Sequence, residues 1–371
     1  MKDDARWMAA ALALAERARG RTAPNPNVGC VIVGDDRVVG RGWTQPGGRP
    51  HAEAMALAAA GAAARGATAY VTLEPCAHAS PRGPACADLL ADAGVARVVA
   101  ALRDPDPRTD GRGLARLAAA GVAVTDGVLA DAARRSMAGW LTRRAQGRPF
   151  VTLKLATSLD GGIATAAGES RWITGPEARA HAHLERSRHE LILVGHGTWA
   201  ADRPALDVRL PGLDGRNPWR VILSGRHPGL EPGSNREPGR SSQIEAAGQA
   251  RAWIPAPGRD DEEVMTIGAP DAIATLPGDH LLVEGGAQTA ASFLRAGLVD
   301  RLLLYRAPIL IGGGTPALGD IGLSDLAAAH GRWRRHDARQ LGVDRLEVYE
   351  TASSGKSGCH FSARMRRRQE L

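Results

Sequence analysis

Three potential metal ligands and one carboxylate lie close together in the first quarter of the chain. His51 and Glu53 stand at the start of a predicted helix. Cys76 follows a predicted strand, and Cys86 opens a second predicted helix. One imidazole and two thiolates suit a tetrahedral zinc ion and leave its fourth position for water, as catalytic zinc requires. The sequence therefore predicts a zinc site with His51, Cys76 and Cys86 as ligands.

The carboxylate of Glu53 completes this group without being a ligand. Zinc lowers the pKa of bound water from about 15.7 toward about 7 and so supplies hydroxide at neutral pH. Attack on an amidine-like carbon then needs a group that moves protons from this water to the departing amine. His-x-Glu followed by Pro-Cys and a second Cys is the pattern of zinc-dependent nucleobase deaminases. We therefore predict that Glu53 is the catalytic acid–base.

The cysteines favour a metal site over a disulfide. The N-terminus carries Asp3 and Asp4 where an export signal would be basic. Its alanines and leucines continue into Glu16 and Arg17 without a cleavage site, which predicts an amphipathic helix. No apolar run approaches the roughly 20 residues that span a bilayer. We therefore expect a cytoplasmic protein without a membrane partner, in which thiols stay reduced.

The positive charge of the chain does not by itself indicate a nucleic-acid partner. The net charge is +7, yet only three of the 47 basic residues are lysines: Lys2, Lys154 and Lys356. The arginines are scattered, with no long basic run before residues 364–368. This pattern indicates a composition biased toward arginine, which can still speed the capture of an anionic small substrate.

Strands alternate with helices in two series, which predicts an α/β protein of two domains. The first series has predicted strands at 28–34, 37–43, 68–74, 97–104 and 122–124. The second has predicted strands beginning near residues 150, 190, 219, 280 and 301. A polar segment with Gly and Pro separates them. We place domains at 1–146 and 147–350, an exposed loop at 226–250 and a disordered tail at 351–371.

Nine residues separate the two cysteines, whereas deaminases that act on nucleic acids have two. This spacing, with "TAPNPNVGCVIV" (22–33), "HAEAMAL" (51–57) and "DPDPRTDGRG" (104–113), resembles the bifunctional riboflavin-biosynthesis deaminase/reductase family. The resemblance extends to about residue 350. It implies a cytidine-deaminase-like three-layer α/β/α domain followed by a dihydrofolate-reductase-like α/β domain. It also implies that Asn25 helps to hold the pyrimidine and that Cys30 is a buried packing residue.

The second half carries its own motifs. A predicted strand ends in Glu284 and is followed by two glycines and a helix, an arrangement that lets phosphate approach backbone amides. The glycine spacing does not match a Rossmann fingerprint. "KLATSLDGGIATAAGESRWITGPEAR" (154–179), "VGHGTWAADRPALDVR" (194–209) and "LVEGGAQTAASFL" (282–294) resemble the family's reductase half.

This resemblance implies two sets of binding residues. Those expected to line the NADPH site are Ala156, Trp172, Thr198, Asp202, Ser224 and Gly286 with its helix to residue 292. Those expected to bind substrate are Ser170, Arg186, Leu206, Arg209 and Glu284. Guanidinium groups suit a ribose phosphate, because they offer a bidentate fork to phosphate oxygens. Lys154 either donates a proton or orients the sugar, or is a surface residue.

The family resemblance implies two consecutive reactions. Zinc-dependent hydrolysis would deaminate 2,5-diamino-6-ribosylamino-4(3H)-pyrimidinone 5′-phosphate, and NADPH would then reduce the ribosyl side chain to give 5-amino-6-(5-phosphoribitylamino)uracil. The resemblance also suggests a homo-dimer or homo-tetramer. The main alternative is a cytidine- or tRNA-type zinc deaminase with an appended reductase-like domain. A reductase with a relic deaminase half, or a zinc-stabilised RNA-binding module, are further alternatives.

Overall fold

The computed structural model describes residues 2–225 and 264–352, which form two compact α/β units. The first unit ends at Leu141 and the second begins at Thr142, both within one helix. The predicted domain junction at 146/147 lies at the C-terminal end of that helix. The predicted loop at 226–250 and all but the first two residues of the predicted tail lie outside the described residues.

The first unit is built on a five-stranded sheet. Its strands are β1 Gly29–Gly34, β2 Arg37–Trp43, β3 Thr68–Val71, β4 Arg97–Ala100 and β5 Ala123–Thr125. Its helices are α1 Lys2–Ala18, α2 Ala52–Ala60, α3 Cys86–Asp92, α4 Arg112–Ala119, α5 Ala130–Ser136 and the boundary helix α6 Ala138–Gln146. The strand order is β2-β1-β3-β4-β5, with β1 antiparallel to both neighbours and β3, β4 and β5 parallel.

Glycines on β2 bring the helix that carries Glu53 close to the sheet. A Cβ on Gly40 would lie 2.2 Å from the carbonyl oxygen of Ala56, and one on Gly42 would lie 2.4 Å from that of Ala52. Any larger residue at these positions would push α2 away. The absence of side chains at Gly40 and Gly42 thus fixes the height of α2 above the sheet.

The second unit is built on an eight-stranded sheet. The ten strands of this unit, eight of them in the large sheet, are β6 Phe150–Thr157, β7 Gly162–Ala164, β8 Leu191–Gly195, β9 Trp219–Leu223, β10 Val264–Ile267, β11 His280–Val283, β12 Arg301–Arg306, β13 Thr315–Pro316, β14 Trp333–Leu341 and β15 Asp344–Thr351. Its helices are α7 Pro176–Arg186, α8 His196–Asp202 and α9 Ala287–Arg295. The order in the large sheet is β10-β9-β8-β11-β6-β12-β15-β14, and β7 and β13 form a separate pair.

Parallel pairing places the carboxyl ends of six strands along one edge of this sheet. Each neighbouring pair from β10 to β12 is parallel, and the β14–β15 hairpin is antiparallel. In open α/β sheets, ligands bind outside the carboxyl ends of the strands. The sequence of β8, LILVG, is buried throughout because helices cover parallel sheets on both faces.

The predicted α/β architecture of both halves is confirmed, with shorter elements. The strand predicted at 97–104 ends at Ala100, and the strand predicted at 68–74 ends at Val71. The β14–β15 hairpin was not predicted, because β14 is charged and mostly exposed. Within residues 2–225 and 264–352, no helix is long and apolar enough to cross a membrane.

Candidate active sites

The three predicted zinc ligands meet at the ends of three elements of the first unit. His51 is the residue before α2, Cys76 lies in the loop after β3, and Cys86 is the first residue of α3. The Nδ1 atom of His51 lies 3.3 Å from the Sγ of Cys86 and 3.7 Å from the Sγ of Cys76. In the part of the chain that the structure describes, this is the one group of three or more such residues that could hold a metal.

These distances fit a zinc ion. Zn–S bonds of about 2.3 Å and Zn–N bonds of about 2.0–2.1 Å in a tetrahedron separate the nitrogen and sulfur atoms by roughly 3.5 Å. The backbone N–H of Cys86 donates to the Sγ of Cys76 at 3.3 Å. The Cys86 thiol and His51 lower the pKa of Cys76, which favours the thiolate that binds metal.

Glu53 lies in the first turn of α2 and is only 3% exposed. Burial raises the pKa of its carboxyl above the usual value, while the charge of His51 acts in the opposite direction. A carboxyl with a raised pKa can both accept and release a proton near neutral pH. The environment of Glu53 therefore suits proton transfer.

Asn25 contacts the outer side of the histidine. Its Nδ2 atom lies 3.0 Å from the Nε2 of His51 and donates to the carbonyl oxygen of Gly48 at 2.9 Å. Partners of this kind fix the ring orientation of a metal-binding histidine. Asn25 thus lies beside the predicted zinc site, and its predicted contact with the pyrimidine stays a prediction.

Glu74 is a buried residue beside this site that the sequence analysis did not select. Its carboxylate accepts hydrogen bonds from the backbone N–H groups of Asp104, Gly111, Gly113 and Leu114, at 2.9–3.2 Å. The side chain is 2% exposed. The sequence held one signal, which is a carboxylate at the end of an apolar run and directly before the Pro-Cys pair.

The second candidate site lies at the carboxyl edge of the large sheet. Most predicted NADPH residues belong to β6 or follow β8, β9 and β11, and they are Ala156, Thr198, Asp202, Ser224 and Gly286. Trp172 precedes α7, is 65% exposed and lies under the guanidinium of Arg179 at 4.6 Å. Asp202 pairs with Arg171 at 3.5 Å.

Where α9 begins, two glycines pack tightly against Thr289 and a third leaves the backbone open. A Cβ on Gly195 would lie 2.2 Å from the Oγ1 of Thr289, and one on Gly285 would lie 2.4 Å from the Cβ of Thr289. A Cβ on Gly286 would meet only the Oγ1 of Thr198, at 3.7 Å. We call Gly195, Gly285 and Gly286 the glycine cradle. The N–H groups of a helix N-terminus favour phosphate, so the glycine cradle fits the pyrophosphate of a dinucleotide.

A charged group lies beside the cradle. Arg186 donates to both carboxylate oxygens of Glu284, from Nε at 2.8 Å and from Nη2 at 2.9 Å. The Nζ of Lys154 lies 3.9 Å from the same carboxylate. Burial would raise the pKa of Glu284, but the charges of Arg186 and Lys154 outweigh it and hold the pKa at about 2. Glu284 is therefore ionised at neutral pH.

The remaining predicted substrate residues differ in what they can offer. Ser170 is exposed. Leu206 has a φ of 53° and a side chain buried against the strand residue Val194, so its backbone is the part that can face a ligand. Arg186 also donates a hydrogen bond to the carbonyl oxygen of Asp207, and its side chain is 14% exposed. The side chain of Arg209 is 60% exposed. Arg209 is thus the more available of the two guanidinium groups.

Comparisons with known proteins match both halves of the chain. Residues 1–102 match the cytidine and deoxycytidylate deaminase zinc-binding region, and residues 149–345 match the RibD C-terminal domain. The riboflavin biosynthesis protein RibD of Escherichia coli (strain K12) is 40% identical over 367 residues, covering 92% of this chain and 97% of the relative. That of Aquifex aeolicus (strain VF5) is 38% identical, covering 92% and 96%.

Solved structures agree over nearly the full length. Acinetobacter baumannii RibD is 37% identical with a TM-score of 0.75, covering 94% of this chain and 99% of that one. The diaminohydroxyphosphoribosylaminopyrimidine deaminase/5-amino-6-(5-phosphoribosylamino)uracil reductase of Thermotoga maritima is 31% identical with a TM-score of 0.76, covering 94% and 98%. Because these matches to RibD proteins cover both halves of the chain, they favour the bifunctional enzyme over a cytidine- or tRNA-type zinc deaminase with an appended reductase-like domain. The chain belongs to the RibD family, the bifunctional enzymes of riboflavin biosynthesis that combine a zinc-binding deaminase with an NADPH-dependent reductase.

Proposed function

We propose that the chain deaminates 2,5-diamino-6-ribosylamino-4(3H)-pyrimidinone 5′-phosphate and then reduces the ribosyl side chain of the product. The observation that carries this proposal is one polypeptide with two different sites. The first unit holds a His/Cys/Cys group beside the buried carboxyl of Glu53. The second holds a glycine cradle beside the ionised carboxylate of Glu284. The Thermotoga maritima structure described above is named for the same two activities, which supports this pair of substrates.

In the deaminase unit, His51, Cys76 and Cys86 would hold zinc, which supplies an acidified water as nucleophile. Glu53 accepts a proton from that water and passes it to the amino group that leaves as ammonia. Its raised pKa matches this task, because the carboxyl must be a base in one half of the step and an acid in the other. Asn25 holds the His51 ring in place and offers its amide to the pyrimidine.

In the reductase unit, bound NADPH would supply the hydride for reduction at C1 of the sugar, and the residues below would hold the cofactor. Gly286 and the first turn of α9 bind the pyrophosphate. Thr198, Asp202, Ser224, Ala156 and Trp172 line the rest of the cofactor site at the same sheet edge.

Lys154 has a defined role in this proposal. Its ammonium, 3.9 Å from the carboxylate of Glu284, would give a proton to the ring oxygen that leaves C1 during the reduction. Arg209 and Ser170 bind the ribose phosphate, and the backbone of Leu206 contacts the sugar. Arg186 belongs to the same group through its pair with Glu284.

The cellular setting and assembly are part of the proposal. Two thiolate ligands need a reducing compartment, which supports the cytoplasm. We further propose a homo-oligomer, either a dimer or a tetramer. Light scattering on a sizing column tests this, because a single species at the monomer mass would refute it.

The first experiment is an assay of one purified sample of the full chain. We expect one zinc per chain, ammonia release from the diaminopyrimidine substrate, and NADPH oxidation that begins only after deamination. NADPH oxidation with no release of ammonia would mean that the chain is a reductase without deaminase activity. Zinc with ammonia release from cytidine or tRNA, but none from the diaminopyrimidine, would support the alternative deaminase.

A further inference from the structure

Glu74 joins the loop that carries Cys76 to a second loop that the chemistry above does not use. This second loop, residues 104–113, leads from the segment after β4 into α4. The four backbone N–H groups that Glu74 binds come from both ends of this loop and from the first turn of α4. One buried side chain therefore sets the position of the whole segment.

Two of the hydrogen bonds to Glu74 satisfy backbone N–H groups that have no acceptor within α4. Gly113 and Leu114 occupy the second and third positions of α4, and the first N–H groups of any helix lack intrahelical acceptors. Negative charge near the positive end of a helix is also favourable. Close packing adds to this, because a Cβ on Gly113 would lie 1.9 Å from the carbonyl oxygen of Pro75. Glu74 thus anchors α4 directly against the segment that leads to Cys76.

The anchored loop faces the metal-binding segment. The Oγ1 of Thr109 lies 3.4 Å from the Nδ1 of His78, two residues beyond Cys76. Arg108 is held by Asp106 through two side-chain hydrogen bonds at 3.0 and 2.6 Å. Its side chain is 65% exposed. The loop therefore contacts the metal-binding segment through the buried hydroxyl of Thr109, and it carries the exposed cation of Arg108 next to that residue.

We propose that Glu74 is a positioning residue for deamination, which holds the 104–113 loop as one wall of the substrate pocket. The inference rests on the proposed deaminase function and assigns Glu74 no contact with the reacting atoms. A loop fixed before substrate arrives loses little conformational freedom on binding. Releasing it adds an ordering cost to substrate binding and leaves the chemistry at Glu53 unchanged.

The direct test is Glu74→Gln in the full-length protein. The amide keeps the shape but replaces one acceptor oxygen with a donor, so backbone N–H groups face an N–H group. We expect the KM for the diaminopyrimidine to rise about tenfold, the typical effect of losing hydrogen bonds to a charged group. The kcat should stay within about threefold, because losing uniform binding raises KM alone. Zinc content and reduction of the deaminated intermediate should not change.

Asp88→Asn is the matched control. Asp88, in α3, pairs with Arg116 of α4, the helix that Glu74 anchors. Both side chains are about half exposed. Removing this carboxylate should leave the KM unchanged, since surface pairs contribute little. Equal effects of the two variants on KM would mean that general loosening of α4, and not the Glu74 anchor, is responsible.

A second variant covers the case in which Glu74→Gln does not fold. Gly113→Ala forces α4 away from Pro75 without changing any charge, and it should raise the KM in the same direction. An unchanged KM in both folded variants overturns the proposal. A fall in kcat together with loss of zinc also overturns it, because Glu74 would then support the ligands and not the loop. Failure of wild-type protein to release ammonia would instead refute the proposed function.

Discussion

The two sites of the molecule are constructed in opposite ways. In the deaminase unit, three ligand atoms lie within 4.8 Å of one another, and the two cysteines and Glu53 are buried. In the reductase unit, the predicted residues are spread over the carboxyl edge of a parallel sheet, and Trp172 is 65% exposed. A metal needs side chains that converge on one point, whereas a dinucleotide needs a long stretch of accessible backbone. Substitutions should therefore act differently in the two units.

The largest effect is expected where one side chain carries the chemistry. Glu53→Gln keeps the volume of the side chain but removes the proton carrier. General acid–base catalysis contributes about 10²–10⁴-fold, so deamination should fall by about that factor. Zinc content and reduction of the deaminated intermediate should be unchanged, as measured by atomic absorption and NADPH oxidation. Loss of both activities in a folded variant would contradict two separate sites.

The second effect concerns the charged group of the reductase unit. Glu284→Gln leaves Arg186 and Lys154 close together without the carboxylate that both contact. Removing one partner of a buried pair typically costs about 3–5 kcal/mol of stability. We expect NADPH oxidation to fall about 100-fold, as for loss of a group acting on the reacting centre, with deamination retained.

Glu350→Gln is the control for that variant. Glu350, on β15, pairs with Arg301 at the start of β12, away from the carboxyl edge residues. It should retain full reductase activity. A similar loss of activity in both variants would show that the Glu284 result reflects destabilised folding.

A smaller effect should follow from closing the glycine cradle. In Gly285→Ala the new Cβ would lie 2.4 Å from the Cβ of Thr289, so the backbone at the start of α9 must shift. Overpacking of this kind costs about 1–3 kcal/mol, and we expect the KM for NADPH to rise about tenfold. Gly268→Ala, where a Cβ would meet nothing within 4 Å, is the control. An unchanged KM in the Gly285 variant would mean that the pyrophosphate binds elsewhere.

The smallest effect contrasts the two edges of the same sheet. Asp279 precedes β11 at the amino edge, where burial and the charge of Glu190 raise its pKa to about 7, against the opposing charge of Arg143. Glu284 follows β11 at the carboxyl edge, where its pKa is about 2. Between about pH 4 and pH 7, the folded protein thus holds a proton on Asp279 that the unfolded chain has released.

This proton makes stability depend on pH with a defined sign. The free energy of unfolding should fall as pH rises from about 4 to about 7 and show no further loss from this group above that range. Asp279→Asn should remove this dependence and raise the Tm at pH 8 by about 2–4 °C, the shift that roughly 1 kcal/mol produces. At pH 4 the two proteins should unfold at similar temperatures. A lower Tm of the variant at pH 8 would contradict the raised pKa of Asp279.

The two sites also differed in how far the sequence predicted them. His51, Cys76 and Cys86 were selectable because metal ligands are few in type and their order in the chain is distinctive. The glycines and Glu284 of the reductase were weak signals until the family resemblance joined them. Burial of Leu206 could not be foreseen, because it depends on which strands lie beside it. Glu74 was missed because its partners are backbone N–H groups, which every residue other than proline carries.

The scarcity of lysine gives this protein an unusual chemical handle. Lys154 is the one lysine between residues 3 and 355 of the sequence, and its ammonium lies beside Glu284 at the reductase site. An amine-acylating reagent therefore has no lysine target in the deaminase unit beyond Lys2. Mass spectrometry of the labelled peptide that contains Lys154 should report directly on the occupancy of the reductase site. The deaminase activity, measured in the same sample, then serves as an internal reference.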